Sequence, residues 1–474
     1  MAQLVAHPLD VREVTSSSLV SSTMKSAPKG VDFFFYFRDA EPFSLLIVKQ
    51  YLGSDQGGQS VRILHLADLH FGKSLHGVSL LENGDQGYWV DRLLELVDEK
   101  KPDAIVIAGD VYDRSAPSGD AVELLSHMLT GLAEREVPVM MVAGNHDSAQ
   151  RLAFASPMLA RQGLHISRPL FGTDQLERVT LRDAEGEVTF WLMPYVYPAL
   201  IAQALGEESL RDYDSAVRAL LERQGVDFSR RNVLIAHQNV TAGGVEAERG
   251  GSESMVGGVG QVDYHCFDGF DYVALGHIHA ACPVGRETVR YAGSPLCYHF
   301  NELRQPEKGP LLLELGAKGT AVGIETLKIP PLHPMRELRG SLEELREAEL
   351  ANPRENEYLR LVLTDQRLSH ETSAFFDELF RSRGSILMER CSEYDPFREN
   401  ADAPTASALE QKSIRELFED FYTERSGGEG PDEEDLALLA CAEELALHAD
   451  THAAVSETEI EKLLAFITEQ EAKR

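Results

Sequence analysis

The chain has 474 residues, 43% of them apolar, and carries a formal charge of -32 at pH 7. That length exceeds one ordinary core and predicts two or three domains, while no run of about 20 uninterrupted apolar residues is present to cross a membrane as a helix. Five cysteines with no CxxC pair argue against a disulfide framework and a zinc ribbon. The acidity opposes general adhesion to nucleic acid, because DNA affinity rests on neutralising phosphates, although net charge does not describe a local site.

In chain order, residues 1–60 read as an atypical extension: a Ser/Thr-rich stretch from Val14 to Ser22, an isolated FFFYF run, and a Gly/Ser/Gln linker. A start at Val61 from a GUG codon would leave this extension untranslated. The early apolar stretch around 33–52 is interrupted by Arg38, Asp39, Glu41 and Lys49, and has no signal-peptide layout. A cytoplasmic protein is the expectation. From Val61 the pattern alternates. VRILHL reads as a buried strand, Glu82 to Lys100 as a helix stopped by Pro102, AIVIA at 104–108 as a strand, and Val122 to Glu134 as a helix. A strand at 137–143, a helix at 149–161 and short strands at 164–167, 179–182 and 188–193 follow. A helix near 213–224, strands at 233–236 and 272–275, and strands and turns from 287 to 327 complete the series. This order predicts an α/β fold, a two-sheet sandwich flanked by helices, over 61–330. Residues 331–395 are expected to form a small α+β capping domain. Residues 396–474 read as a linker and an acidic helical region, with amphipathic helices at 411–422 and 433–447.

The chemistry collects at strand ends. Asp68-Leu69-His70 follows the first strand, and residues two apart there point the same way. Gly109-Asp110 follows AIVIA, Gly144-Asn145-His146-Asp147 follows VMMVA, His237 follows VLIA, and Gly276-His277-Ile278-His279 follows YVAL. In open α/β sheets ligands bind beyond the carboxyl ends of strands. Asp68, His70, Asp110, Asn145, His237, His277 and His279 together offer oxygen and nitrogen donors without a thiolate. That set suits two divalent ions of the manganese or iron type better than structural zinc. Asp110 is the natural bridge, with Asp68, His70 and His279 on one ion and Asn145, His237 and His277 on the other. His146 is left to contact phosphate or protonate a leaving oxygen, with Asp147 to orient it. Lys73 and His76, close behind the first motif, and Asp113 and Arg114, behind the second, are candidate substrate contacts. No GxxxxGK[ST] motif is present, so ATP binding is not expected.

The series ADLH, GDVYD, GNHD, a lone strand-end His237 and GHIH resembles that of the calcineurin-like metallophosphoesterases. More narrowly, ILHLADLHFGKSL, IVIAGDVYDRSAPS, VAGNHDS, the Gly-rich segment 242–260, FDYVALGHIH and YAGSPLCYHFNE are similar to the SbcD family of bacterial exonuclease subunits. The resemblance runs from about Val61 to about 330 and is weaker beyond. It implies Mn2+-dependent cleavage of DNA phosphodiesters, as a 3′-to-5′ double-strand exonuclease and a hairpin or single-strand endonuclease. It also implies a coiled-coil SbcC-type ATPase as partner, docked on helices placed at 411–447, and a homodimer within a heterotetramer. Helical faces at 86–94 or 122–132 are the candidates for the homodimer, with burial of either helix against its own sheet the equal alternative. Archaeal and eukaryotic relatives carry a second active-site histidine where Asp113 stands here, so that role does not transfer. A stand-alone phosphoesterase is the competing enzyme reading, and a partner-recruiting scaffold without catalysis the non-enzymatic one.

Overall fold

The computed structural model describes residues 60–170, 173–245, 260–305, 308–394 and 414–425, together with the backbone of four strands between residues 2 and 48 and isolated positions after 430. The chain divides into two units, Met1–Tyr394 and Asp395–Arg474. In the second, the described helix is Ile414–Arg425, with the Phe418 and Tyr422 rings 5.8 Å apart. The expected helix at 433–447 and most of the Gly-rich segment at 242–260 lie outside the described residues.

The first unit is built on two sheets. One runs in the order Leu164–Ile166, Val139–Val142, Ala104–Ala108, Val61–Leu66, Leu311–Leu315, Gly323–Thr326; its first four strands are parallel and its last two antiparallel. The other has ten strands. Arg286–Tyr291, Tyr272–Gly276, Arg231–His237 and Gly186–Met193 are parallel neighbours at its centre, and Pro283–Val284 closes one edge. Beyond Glu177–Asp183 the sheet continues into Ser44–Val48, Phe33–Phe37, Ala2–Ala6 and Asp10–Val14. The stretch that reads as an extension thus supplies strands to this sheet.

The uninterrupted apolar strands are explained by burial on both faces. In Ala104–Ala108, Ile105 and Ile107 pack outward against helices Asp85–Lys100 and Gly119–Glu134, while Ala104, Val106 and Ala108 pack inward between the sheets. In Arg231–His237, Val233 and Ile235 join the same inner layer. Leu234 and Ala236 face the core that holds helices Pro198–Leu205 and Tyr213–Arg223. The result is the four-layer helix, sheet, sheet, helix sandwich. The apolar faces considered for dimerisation are used at home: Trp89, Val90, Leu93, Leu94, Leu124, Leu125 and Met128 are buried in the chain's own core.

One predicted helix is divided. The stretch 149–161 forms single turns at Ala149–Leu152 and Ser156–Leu159 and a 3-10 turn at Ala160–Gln162. Ala155 has φ +57 and Pro157 lacks the N–H a continuous helix needs. Helix Pro198–Leu205, absent from the sequence reading, starts on a proline, which fits the first turn.

Residues Met335–Ser392 make a separate βαβαβ layer of three parallel strands, Met335–Gly340, Tyr358–Leu363 and Ile386–Ser392. Its own core includes Leu338, Leu345, Leu361, Phe376 and Phe380. Asp85 anchors it to the first helix, accepting from the Tyr358 hydroxyl at 2.5 Å and pairing with His333 Nδ1 at 2.9 Å.

Candidate metal centre

Each candidate ligand sits where a strand stops, and the backbone there departs from ordinary geometry. Asp68, His70, Asp110 and His277 all have positive φ, at +53, +44, +50 and +110. Strain of this kind persists only where surrounding bonds enforce it, and it gathers at functional sites. The enforcing bonds are visible. Asp68 N–H donates to Gly109 O at 3.0 Å, and His70 N–H to Asp110 O at 2.9 Å. Across the gap between the sheets, His277 N–H donates to Asp68 Oδ1 at 2.9 Å. Close approach also needs glycine: a Cβ on Gly144 would collide with the Asp110 carboxylate, and one on Gly276 with Ala108 O.

The side chains converge. His70 Nε2 lies 3.2 Å from His279 Nε2 and 3.6 Å from Asp110 Oδ2. His237 Nε2 lies 3.5 Å from Asp110 Oδ2 and 3.0 Å from Asn145 Oδ1, which is also 3.2 Å from His277 Nδ1. Asp110 stands between the two halves, at the position expected of a bridge. His237 Nδ1 donates to Ala108 O at 2.8 Å, which leaves Nε2 for the site. Asp68, His70, Asp110, His237 and His279 are at most 2% exposed.

Burial on this scale has an electrostatic cost. It pushes the Asp68 carboxyl up to about 7, although His237 and His279 pull the other way. It pushes His70 well below the ordinary histidine range. Burial would also lower His237, but the Asp110 carboxylate beside it prevails and raises it to about 9. Asp110 is held well below its usual range, because its histidine neighbours outweigh burial.

The donor set fits divalent ions. Asp68 Oδ2 and His70 Nδ1 are buried without a hydrogen-bond partner, and such orphaned groups are costly unless something satisfies them. Ligand atoms of Asp68, His70 and His279 lie within 4.8 Å of one another, as do those of Asp68, Asp110 and His237. Two unprotonated imidazole nitrogens 3.2 Å apart repel unless a proton or a cation sits with them. A hard cation among these oxygen and nitrogen donors would satisfy Asp68 Oδ2 and relieve the facing imidazole nitrogens.

The remaining predicted residues divide. His146 borders the centre: its N–H donates to Asp110 Oδ1 at 2.9 Å, and its ring stands edge-on to His70 with centroids 4.9 Å apart. Asp147 does not orient it. The Asp147 carboxylate instead accepts N–H groups of Val111 at 3.1 Å, Tyr112 at 2.9 Å and Gly144 at 2.9 Å, tying two strand-end loops together. What holds the ring is Asp113 O, 2.9 Å from His146 Nδ1. The Asp113 side chain pairs with Lys73 at 2.8 Å and approaches His70 Nδ1 at 3.6 Å. Arg114 is mostly exposed beside it, and both border a groove of about 390 Å3 lined also by Phe71, Gly72 and Ser74. His76 turns away, toward Glu389 of the small layer at 3.7 Å and Phe300. Sequence reasoning does not single out Glu302 and Lys308. Glu302 lies 3.4 Å from His279 Nδ1, and Lys308 pairs with it at 2.8 Å. The segment containing YHFNE stands out in the sequence, but no spacing rule marks its carboxylate.

Comparison with known proteins agrees with this geometry. Residues 61–281 match the family described as calcineurin-like phosphoesterase. Residues 331–426 match the type 5 capsule protein repressor C-terminal domain. Among curated relatives, the D subunit of nuclease SbcCD from Staphylococcus saprophyticus is 32% identical over 65% of this chain and 79% of the relative. Its counterpart from Staphylococcus epidermidis is 33% identical over 66% of this chain and 80% of the relative. A crystal structure of TT1561 of Thermus thermophilus aligns with 57% of this chain and 100% of its own at 13% identity and a TM-score of 0.33, too low to bear on the fold. Motif order, strand-end geometry and extent of similarity converge, and the chain belongs to the SbcD family of nuclease subunits, with a calcineurin-like phosphoesterase domain.

Proposed function

We propose that the chain is the metal-dependent nuclease subunit of an SbcCD-type complex, hydrolysing DNA phosphodiesters at the strand-end cluster. The observation that carries this is the convergence, from both sheets, of seven buried or partly buried oxygen and nitrogen donors on one point, with Asp68 Oδ2 left unsatisfied. Asp68, His70, Asp110 and His279 would hold one divalent ion, and Asp110, Asn145, His237 and His277 the second; Mn2+ is the ion proposed. When bound, such ions supply Lewis-acid stabilisation of the reacting phosphate and an activated water.

The chain's own residues do the rest. His146, its Nδ1 proton donated to Asp113 O, presents Nε2 outward to contact the phosphate and hold the proton the leaving oxygen needs. Asp147 keeps the loops that carry Asp110 and His146 at fixed separation. Arg114 supplies positive charge at the groove to position the DNA backbone, and Lys73, paired with Asp113, stands behind it. Residues 61–330 would form the nuclease domain, 331–395 the capping domain, and 396–474 the docking region for a coiled-coil ATPase of the SbcC type. With a chain this acidic, the partner would supply much of the positive surface that duplex DNA requires. The full proposal is a cytoplasmic heterotetramer with two nuclease subunits, acting as 3′-to-5′ exonuclease on double-stranded ends and as endonuclease on hairpins and single strands. No helix among the described residues is long and apolar enough to cross a membrane.

The test is cleavage of linear duplex DNA, hairpin DNA and a small chromogenic phosphodiester, with and without the partner ATPase and ATP. Loss of DNA from its ends that requires Mn2+ and is enhanced by the partner is expected. Turnover of the small diester without DNA cleavage under any condition would replace this reading with a stand-alone phosphoesterase.

A further inference from the structure

His279 differs from His237 and His70 in what stands behind it. His237 Nδ1 donates to a backbone carbonyl, Ala108 O, while His70 Nδ1 has no hydrogen-bond partner. His279 Nδ1 faces a carboxylate oxygen, Glu302 Oε1, at 3.4 Å. Glu302 is 1% exposed and is itself fixed on its other oxygen. Oε2 accepts the Tyr298 N–H at 3.1 Å and pairs with Lys308 Nζ at 2.8 Å. Lys308 also donates to His279 O and to Ser294 Oγ, each at 2.8 Å, so one ammonium holds both the carboxylate and the backbone of the histidine it supports. An ionised carboxylate only accepts hydrogen bonds. The proton of a neutral His279 therefore belongs on Nδ1, and the lone pair on Nε2 points toward His70 and the centre.

We propose that Glu302, clamped by Lys308, is a positioning residue for the metal centre: it sets the tautomer and ring orientation of His279 and makes its Nε2 a stronger donor than that of His70 or His237. The chemistry is that of a carboxylate behind a metal-bound histidine, which orients the ring and raises its basicity. Lys308 keeps the carboxylate from drawing the Nδ1 proton away. The two halves of the centre are then unequal. The half containing Asp68, His70 and His279 retains its ion, and the half containing Asn145, His237 and His277 exchanges its ion more readily. This rests on the reading that the site binds divalent ions.

The test uses the full-length chain. Ring-nitrogen NMR on the metal-free protein, with the His279 signal assigned from a His279→Gln variant, should find the Nδ1-protonated tautomer in the wild type. Finding the proton on Nε2 would overturn the proposal without any variant of Glu302. Mn2+ titration followed by calorimetry should then give a tight and a weaker event, with the tight one weakened about 10- to 100-fold in Glu302→Gln and less in Lys308→Met. Equal affinities in wild type and Glu302→Gln would also overturn it. A wild type that binds no Mn2+ while keeping the Nδ1 tautomer would instead refute the metal reading itself.

Discussion

Two buried clusters of charge in this chain behave in opposite ways. In the small layer, Arg336 bridges Glu349 and Glu357, with Nη1 to Glu349 Oε1 at 2.6 Å and Nε to Glu357 Oε2 at 3.0 Å. Arg383 adds bonds to Glu349 Oε2 at 3.3 Å and to its carbonyl at 2.9 Å. Both carboxylates are 5% exposed or less and are answered by guanidinium groups. At the strand ends, carboxylates and imidazoles are buried as deeply, yet Asp68 Oδ2 and His70 Nδ1 are unanswered and four of the candidate ligands have positive φ. The first cluster closes on itself and holds a fold together. The second closes only when something else joins it. Burial of charge alone does not mark a site; a buried carboxylate oxygen left unanswered among convergent donors does.

The comparison breaks most sharply at Asp110. Asp110→Asn removes the carboxylate shared by both halves, and DNA cleavage should fall about a thousandfold or more, the loss of several kcal/mol of charge stabilisation. The thermal stability of the metal-free protein should fall, because the substitution removes the carboxylate that pairs with His237, offset only in part by relief of like charge beside Asp68 and Asp147. His146→Ala should lower turnover about a hundredfold while leaving Mn2+ affinity within a few fold, separating proton handling from metal binding in parallel assays. Arg336→Met should do the reverse. It removes the close partner of Glu357 and leaves Glu349 to Arg383 alone, and should cost about 3 kcal/mol in denaturant unfolding, with metal affinity unchanged.

The smallest effect is in pH. The folded pKa of His237 is raised to about 9, so its contribution is full below about 6.5 and lost as pH rises toward 9. The folded pKa of Asp68 is raised to about 7, so the folded state binds more protons there too and loses stability between about pH 4 and 7. Metal-free protein should therefore melt at lower temperature as pH rises from about 6.5 to about 9. Saturating Mn2+ should reverse that slope, since the ions replace the protons. A metal-independent slope would remove the distinction between the two clusters.

The sandwich was legible because both faces of its strands are buried, which writes long apolar runs such as AIVIA and RNVLIAH into the sequence. The convergent donors were legible because strands end where periodicity stops, and the pairs Asp68/His70 and His277/His279 carry the two-residue spacing of one face. Other features left no such trace. Asp147 looks like one more ligand by neighbourhood, but three backbone N–H groups claim it. Glu302 reaches His279 from 23 residues away through a 3-10 turn, for which no periodicity exists. The break at Ala155 depends on a single left-handed residue ahead of Pro157, within a stretch whose composition favours helix. The strand Phe33–Phe37 is too short for its pattern to fix a partner, and only pairing with Ala2–Ala6 and Ser44–Val48 assigns it to a sheet.

The most direct measurement is Mn2+ binding stoichiometry together with degradation of linear duplex DNA, for the wild-type chain and Asp110→Asn. The account predicts two ions bound by the wild type, cleavage that EDTA abolishes and Mn2+ restores, and loss of both binding and cleavage in the variant. Cleavage that persists in EDTA, or that survives in Asp110→Asn, would place the nuclease chemistry elsewhere and contradict the account.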